Sequence, residues 1–121
     1  MVSKILENTI TGNGSMKIEK LFFVSLHKML TDTIELLGKK NGLDVFTIND
    51  FDEAYHFIKD LNPSIIVADN DGVEEEVFSK FMSEFSSQIP VVVIGNGEKA
   101  KFLKPIDPIK LLDELELIYN S

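Results

Sequence analysis

Along this chain, runs of apolar residues alternate with stretches in which apolar positions recur every three or four residues. Leu21-Phe22-Phe23-Val24, Ser64-Ile65-Ile66-Val67-Ala68-Asp69 and Pro90-Val91-Val92-Val93-Ile94 carry continuous apolar runs, the pattern of strands buried on both faces. Another strand is predicted near Leu43–Ile48, where Leu43, Val45 and Thr47 alternate against Asp44 and Phe46. Helices are predicted between these runs. One covers about Lys28 to Lys39, with Leu30, Ile34 and Leu37 on one face and Asn41-Gly42 as its stop. A second covers about Asp50–Leu61, with Ala54, Phe57, Ile58 and Leu61 inward, Asn49 or Asp50 as cap, and Pro63 beyond its end. A third runs over Val73–Phe85, with Val77 or Phe78, Phe81 and Phe85 inward. The last begins at Asp107 as cap and Pro108 as first helical residue, and its inward stripe reads Ile109, Leu112, Leu115 and Ile118.

Strand and helix thus alternate until a short apolar pair, Phe102-Leu103, precedes the last helix. That alternation predicts a parallel sheet covered on both faces. Ligands and reacting groups in such sheets gather at the carboxyl ends of the strands, and Asp69 falls at such an end. The connection into Phe102-Leu103 is unusual. Parallel neighbours ordinarily need a crossover of about a dozen residues, and only Asn96-Gly97-Glu98-Lys99-Ala100 stand here, with Lys101 entering the strand. Two solutions fit. Either a very short parallel strand is reached by an extended link, or Asn96-Gly97 turns an antiparallel hairpin that sends Lys104 away from Asp69. The parallel solution is favoured, because Lys104-Pro105 leads directly into the last helix.

Composition narrows the function. A chain of 121 residues with 44% hydrophobic and 26% charged residues is expected to form one compact domain. Residues 1–16, with linker-like Thr11-Gly12-Asn13-Gly14-Ser15, are expected to be a tail or linker before a domain at 17–121. Val2, Ile5, Leu6 and Ile10 give that segment enough apolar character for a short docking helix or added strand. No apolar run reaches the roughly 18 residues of a membrane span, and no secretory segment is apparent, so the expected compartment is the cytoplasm. The chain has no cysteine, which excludes disulfides and thiolate chemistry. A net charge of −8 repels phosphate backbones, which argues against direct nucleic-acid binding and for a basic protein surface as partner.

Asp69 at one strand end, Lys104-Pro105 after another, and Asp107-Pro108 opening a Leu-rich helix together resemble the receiver domain of two-component response regulators, over roughly Lys17 to Tyr119. The resemblance implies a flavodoxin-like doubly wound sheet of order 2-1-3-4-5. It makes Asp69 the position that accepts a phosphoryl group from a histidine kinase, and Lys104 the lysine of its charge cage. The family's Mg²⁺-binding acid pair falls at Ser25 and Leu26, and its hydroxyl switch at Gly95. Those three positions depart from the pattern. Phosphoryl transfer needs a metal to neutralise the transferred oxygens, and Mg²⁺ is held by carboxylates and water. Ser25 offers one neutral oxygen, Leu26 none, and Asp71 is a weak substitute ligand alongside Asp69. The helix that the family places between its fourth and fifth strands is absent as well. Its loss predicts either an exposed apolar patch around Phe102 and the fourth strand, or a link that slides over to close the gap.

The expected function is therefore a phosphorylation-independent receiver-like signalling module that binds a protein partner, and that can also form a homodimer. The alternative is a phosphorylatable receiver that uses Asp69 and Mg²⁺. No enzymatic activity or resident cofactor is expected otherwise. Other features have simpler readings. His27 and His56 lack paired ligands, and Glu74-Glu75-Glu76 suits the positive end of a helix. Asp69-Asn70-Asp71 reads as a solvated loop. Gly12-Asn13-Gly14 and Gly95-Asn96-Gly97 lack the third glycine of a dinucleotide loop, and Ser25-Leu26-His27-Lys28 is no flavin phosphate loop.

Overall fold

The computed structural model describes residues 20–119. The predicted tail at 1–16 lies outside the described residues. Five strands and four helices follow one another: β1 (Lys20–Val24), α1 (Lys28–Lys40), β2 (Asp44–Ile48), α2 (Phe51–Leu61), β3 (Ile65–Asp69), α3 (Glu75–Phe85), β4 (Val91–Gly95), β5 (Phe102–Leu103) and α4 (Pro108–Tyr119). All strand pairs are parallel, and the sheet order is β2-β1-β3-β4-β5. This is the predicted 2-1-3-4-5 order. It places Asp69 beside Ile94 across β3 and β4, and Val24 beside Ala68 across β1 and β3.

Because each central strand is apolar throughout, the sheet buries both faces. On one, Leu21, Phe23, Val67, Val92 and Ile94 pack against Ile34 of α1 and against Leu111, Leu112 and Leu115 of α4. On the other, Phe22, Val24, Ile66, Ala68 and Val93 meet Phe51, Ala54 and Ile58 of α2 and Phe78, Phe81 and Phe85 of α3. The second core is aromatic. Phe81 meets Phe51 and Phe85 at ring-centroid distances of 5.1 Å each, and Tyr55 at 5.8 Å.

The helix stripes differ from expectation at two points. Phe57 is exposed, and Phe51, at the first position of α2, takes the inward place instead. Asp50 is the cap that fixes this phase, accepting from Asp52 N at 2.7 Å and Glu53 N at 3.2 Å. In α4, Ile109 is exposed and Leu111, Leu112 and Leu115 are buried. Asp107 caps Ile109 N at 3.0 Å, which starts the helix as predicted, but the apolar stripe is turned toward Leu111. The side chain of Ile118 lies outside the described residues. Helix α3 begins at Glu75 rather than Val73, and Val73 packs against the aromatic core from the preceding loop.

The parallel link into β5 is the solution found. Phe102 pairs with Ile94 and Leu103 with Gly95. A full-length parallel partner would have to return along all of β4, roughly 16 Å for five residues. Because β5 starts opposite the fourth residue of β4, the link needs no return run and no helix. Lys101 N donates to Val93 O at 2.7 Å and Lys104 N to Gly95 O at 2.8 Å, pinning both ends. Ala100 packs against the aromatic core beside Val93, which is 8% exposed. Phe102 is half-buried against the opposite core. Of the two expected outcomes, an open patch at Phe102 is not found, since Phe102 is half-covered, while a cleft lined by Phe78 and Met82 of α3, Val93 and Lys99 remains beside the link. The apolar side chains left exposed near this edge are Leu103 and Ile109.

Candidate functional site

Strand ends β1, β3, β4 and β5 converge where Asp69 leaves the sheet. Asp69 is fully buried, at 0% exposure. A carboxylate there needs partners, since isolated charge in a protein interior is strongly disfavoured. It has three. Ser25 Oγ donates to Oδ2 at 2.7 Å, Lys104 Nζ lies 2.8 Å from the same oxygen, and Asp71 N donates to Oδ1 at 3.0 Å. The loop at Asp69-Asn70-Asp71 is thus no plain solvated turn. Its first carboxylate is enclosed and its second is tied back to the same lysine.

Lys104 Nζ also contacts Asp71 Oδ2 at 3.1 Å, and His27 Nε2 reaches that oxygen at 3.0 Å. Asn96 Nδ2 donates to Asp71 Oδ1 at 3.0 Å. Lys104 holds its place because the short β5 ends one residue earlier and its own N–H is bonded to Gly95 O. The Lys104–Pro105 peptide is cis. Ser25 is held by N–H donation to Ile48 O at 3.1 Å, while its Oγ accepts from His27 N at 3.1 Å. Asn49, one of two predicted helix caps, instead donates through Nδ2 to Ser25 O at 2.8 Å and Thr31 Oγ1 at 3.0 Å.

Ser25, Asp69, Gly95 and Lys104, singled out in the sequence, are brought together here. Ser25 spends its hydroxyl proton on Asp69, and Leu26 contributes no oxygen and stands 43% exposed. Among the described residues no group of three or more His, Cys, Asp or Glu is arranged to hold a metal ion. Ser25, Leu26 and the paired Asp69 and Asp71 carboxylates do not fit the oxygen set that Mg²⁺ takes. Gly95 sits at φ 124°, open to glycine and strained for other residues. A Cβ added there would overlap Asn70 Oδ1 and come within 2.9 Å of Asp69 Oδ1. Gly95 thus has no hydroxyl and no room for a side chain that would carry one.

Hydrogen bonding to Lys104, with the lysine's charge, holds the Asp71 carboxyl below its ordinary value, helped by His27 and Asn96 and opposed by desolvation. Burial works against the Lys104 ammonium, but its hydrogen bonds and ion pairs with Asp69 and Asp71 outweigh this and raise its pKa. A depressed carboxyl contributes stability above its unfolded value of 3.8, and that contribution is lost as pH falls below it. A raised lysine contributes below 10.5, and its share is lost at more alkaline pH. Asp71→Asn is accordingly expected to flatten the loss of urea stability as pH falls below about 4. Identical slopes in the two proteins would contradict this assignment.

Sequence reading missed Asn70, Asn96, Thr31 and the second role of Asp71. Their partners lie 18 to 33 positions apart, joined only by the strand order. No local spacing carries that signal.

No family model matches the chain, and no curated protein matches it. Solved structures do. The chemotaxis response regulator CheY4 of Vibrio cholerae superposes with a TM-score of 0.69 at 17% identity, covering 84% of this chain and 99% of that one. A response regulator from Desulfuromonas acetoxidans gives 0.67 at 14% identity, over 83% and 95%. The BeF3-activated N-terminal receiver domain of Klebsiella pneumoniae RstA gives 0.66 at 21% identity, over 82% and 97%. The chain has the flavodoxin-like fold of response-regulator receivers, with four helices among the described residues.

Proposed function

We propose that this chain is a receiver-like signalling module that acts by binding a protein partner, without phosphoryl transfer to Asp69. The observation that carries this reading is the state of the Asp69 carboxylate. It is enclosed, and both its oxygens are engaged by Ser25, Lys104 and the Asp71 N–H. An in-line attack on a phosphoryl donor needs a carboxylate oxygen turned toward solvent and a metal beside it. Ser25 and Lys104 occupy Oδ2, the Asp71 N–H occupies Oδ1, and Ser25 and Leu26 stand where the resemblance places a metal's ligands. The module uses no Mg²⁺ and no other cofactor, and it catalyses no reaction of its own.

A net charge of −8 favours a basic partner surface over nucleic acid. Among the described residues no helix is long and apolar enough to cross a membrane, which fits action in the cytoplasm. Exposed Leu103 and Ile109 at the β5–α4 edge supply apolar contacts for the partner, or for a second copy of the chain.

The test is an amide-resolved NMR titration with Mg²⁺ and beryllofluoride, with Asp69→Asn as control. The expected result is no change at Asp69, Lys104 or Gly95 at millimolar Mg²⁺. Shifts centred on Asp69 and Lys104, absent from the control, would establish the phosphorylatable alternative, which the retained 2.8 Å Lys104–Asp69 contact favours.

A further inference from the structure

Around Asn70 two loops are sewn together. Asn70 Nδ2 donates to Asn96 O at 2.8 Å, and Asn96 N donates back to Asn70 Oδ1 at 2.8 Å. The Asn96 side chain continues the seam to Asp71 Oδ1. On the backbone, Asn70 N donates to Ile94 O at 3.0 Å. The β3–α3 loop and the β4–β5 link are therefore joined by a reciprocal amide pair at the point where the switch hydroxyl would stand. The Asn70 carbonyl oxygen fills the volume that any side chain at Gly95 would enter.

We infer that Asn70 is a permanent clasp: its side-chain amide holds the β4–β5 link in one conformation, the task a phosphoryl group and a switch hydroxyl would share in a switchable domain. Three features of the link support this. It contains no helix whose own hydrogen bonds would order it. Its far end is anchored by the Lys101 N–H to Val93 O and Lys104 N–H to Gly95 O bonds, so its near end needs an anchor as well. Its placement also sets Lys104, which neutralises the buried Asp69. Asn70 is a positioning residue that acts on Lys104 through the link. The inference deepens the proposed function, because a module without a phosphoryl trigger requires a fixed loop, and its test uses no phosphoryl analogue, so either reading can fail alone.

The experiment is residue-resolved amide hydrogen exchange on the full chain and on Asn70→Ala. Removing two ordinary hydrogen bonds is expected to speed exchange about tenfold. The decisive amides are Lys101 and Lys104, whose own acceptors are untouched by the substitution, with Phe23 and Val67 in the sheet centre unchanged. Unaltered exchange at Lys101 and Lys104 would overturn the clasp. A second measurement is the cost of Gly95→Ala in both backgrounds. If Asn70 fills the space, Gly95→Ala shifts the unfolding equilibrium about tenfold less in the Asn70→Ala background, since only backbone strain and the 2.9 Å approach to Asp69 Oδ1 are left there. Equal shifts in the two backgrounds would mean that Asn70 does not fill that space, and would also sink the inference.

Discussion

Lys104→Met is expected to lower folding stability by about 3–5 kcal/mol, because it leaves the Asp69 carboxylate charged, enclosed and short of its cation. Methionine keeps most of the apolar stem, so the loss reports the charge rather than the packing. The lysine is itself one-fifth exposed, but its partner has no access to water, and the partner decides the cost. Asp69→Asn removes the charge that Lys104 answers. The double variant Lys104→Met/Asp69→Asn is therefore expected to be markedly more stable than Lys104→Met alone. Urea denaturation of the four proteins measures this as a coupling energy. Costs that simply add would show that the two groups act independently, and the buried pair would lose its role as the site's organiser.

A loss of similar size is expected for Phe81→Ala, about 3–5 kcal/mol, from the cavity left among Phe51, Tyr55 and Phe85. Phe81 is fully buried, and its ring contacts with Phe51 and Tyr55 on α2 knit that helix to α3 over the same sheet face. Phe57→Ala on the neighbouring helix serves as the contrast. That ring is 47% exposed, so its removal is expected to cost less than about 1 kcal/mol. Thermal unfolding of both variants separates them plainly. A large loss for Phe57→Ala, with a small one for Phe81→Ala, would reverse the assignment of the inward face. The comparison also tests the phase of α2, which helical spacing alone placed with Phe57 inward.

The phase of α2 illustrates where sequence reasoning reaches its limit. Helical periodicity places Ala54 and Ile58 on the buried face correctly, because residues four apart must share a face. It places Phe57 in the stripe and leaves Phe51 out, although both border that face and the structure buries Phe51. The cap at Asp50 and the width of the sheet below resolve that choice. Ile109 against Leu111 in α4 is the same problem at the opposite face.

The identity and parallel direction of the four long strands and the position of Asp69 follow from the sequence alone, whereas the direction of β5 was settled only by its pairing with Ile94 and Gly95. Apolar runs too polar-poor for a half-exposed strand must be buried on both faces, and their alternation with amphipathic helices admits few arrangements. Ser25, Leu26 and Gly95, where the resemblance to receivers would place an acid pair and a hydroxyl, are likewise read directly from the sequence. What only the tertiary structure decided is how the site is filled in their place. Ser25, Asp69, Asn70, Asp71, Asn96 and Lys104 come from four strand ends, and their contacts exist because β1, β3, β4 and β5 lie side by side. Hydrogen bonds act over about 3 Å, whereas sequence separation says nothing of distance once the chain has crossed the sheet. A lone asparagine beside an aspartate reads as a turn residue until the opposite loop is seen to meet it.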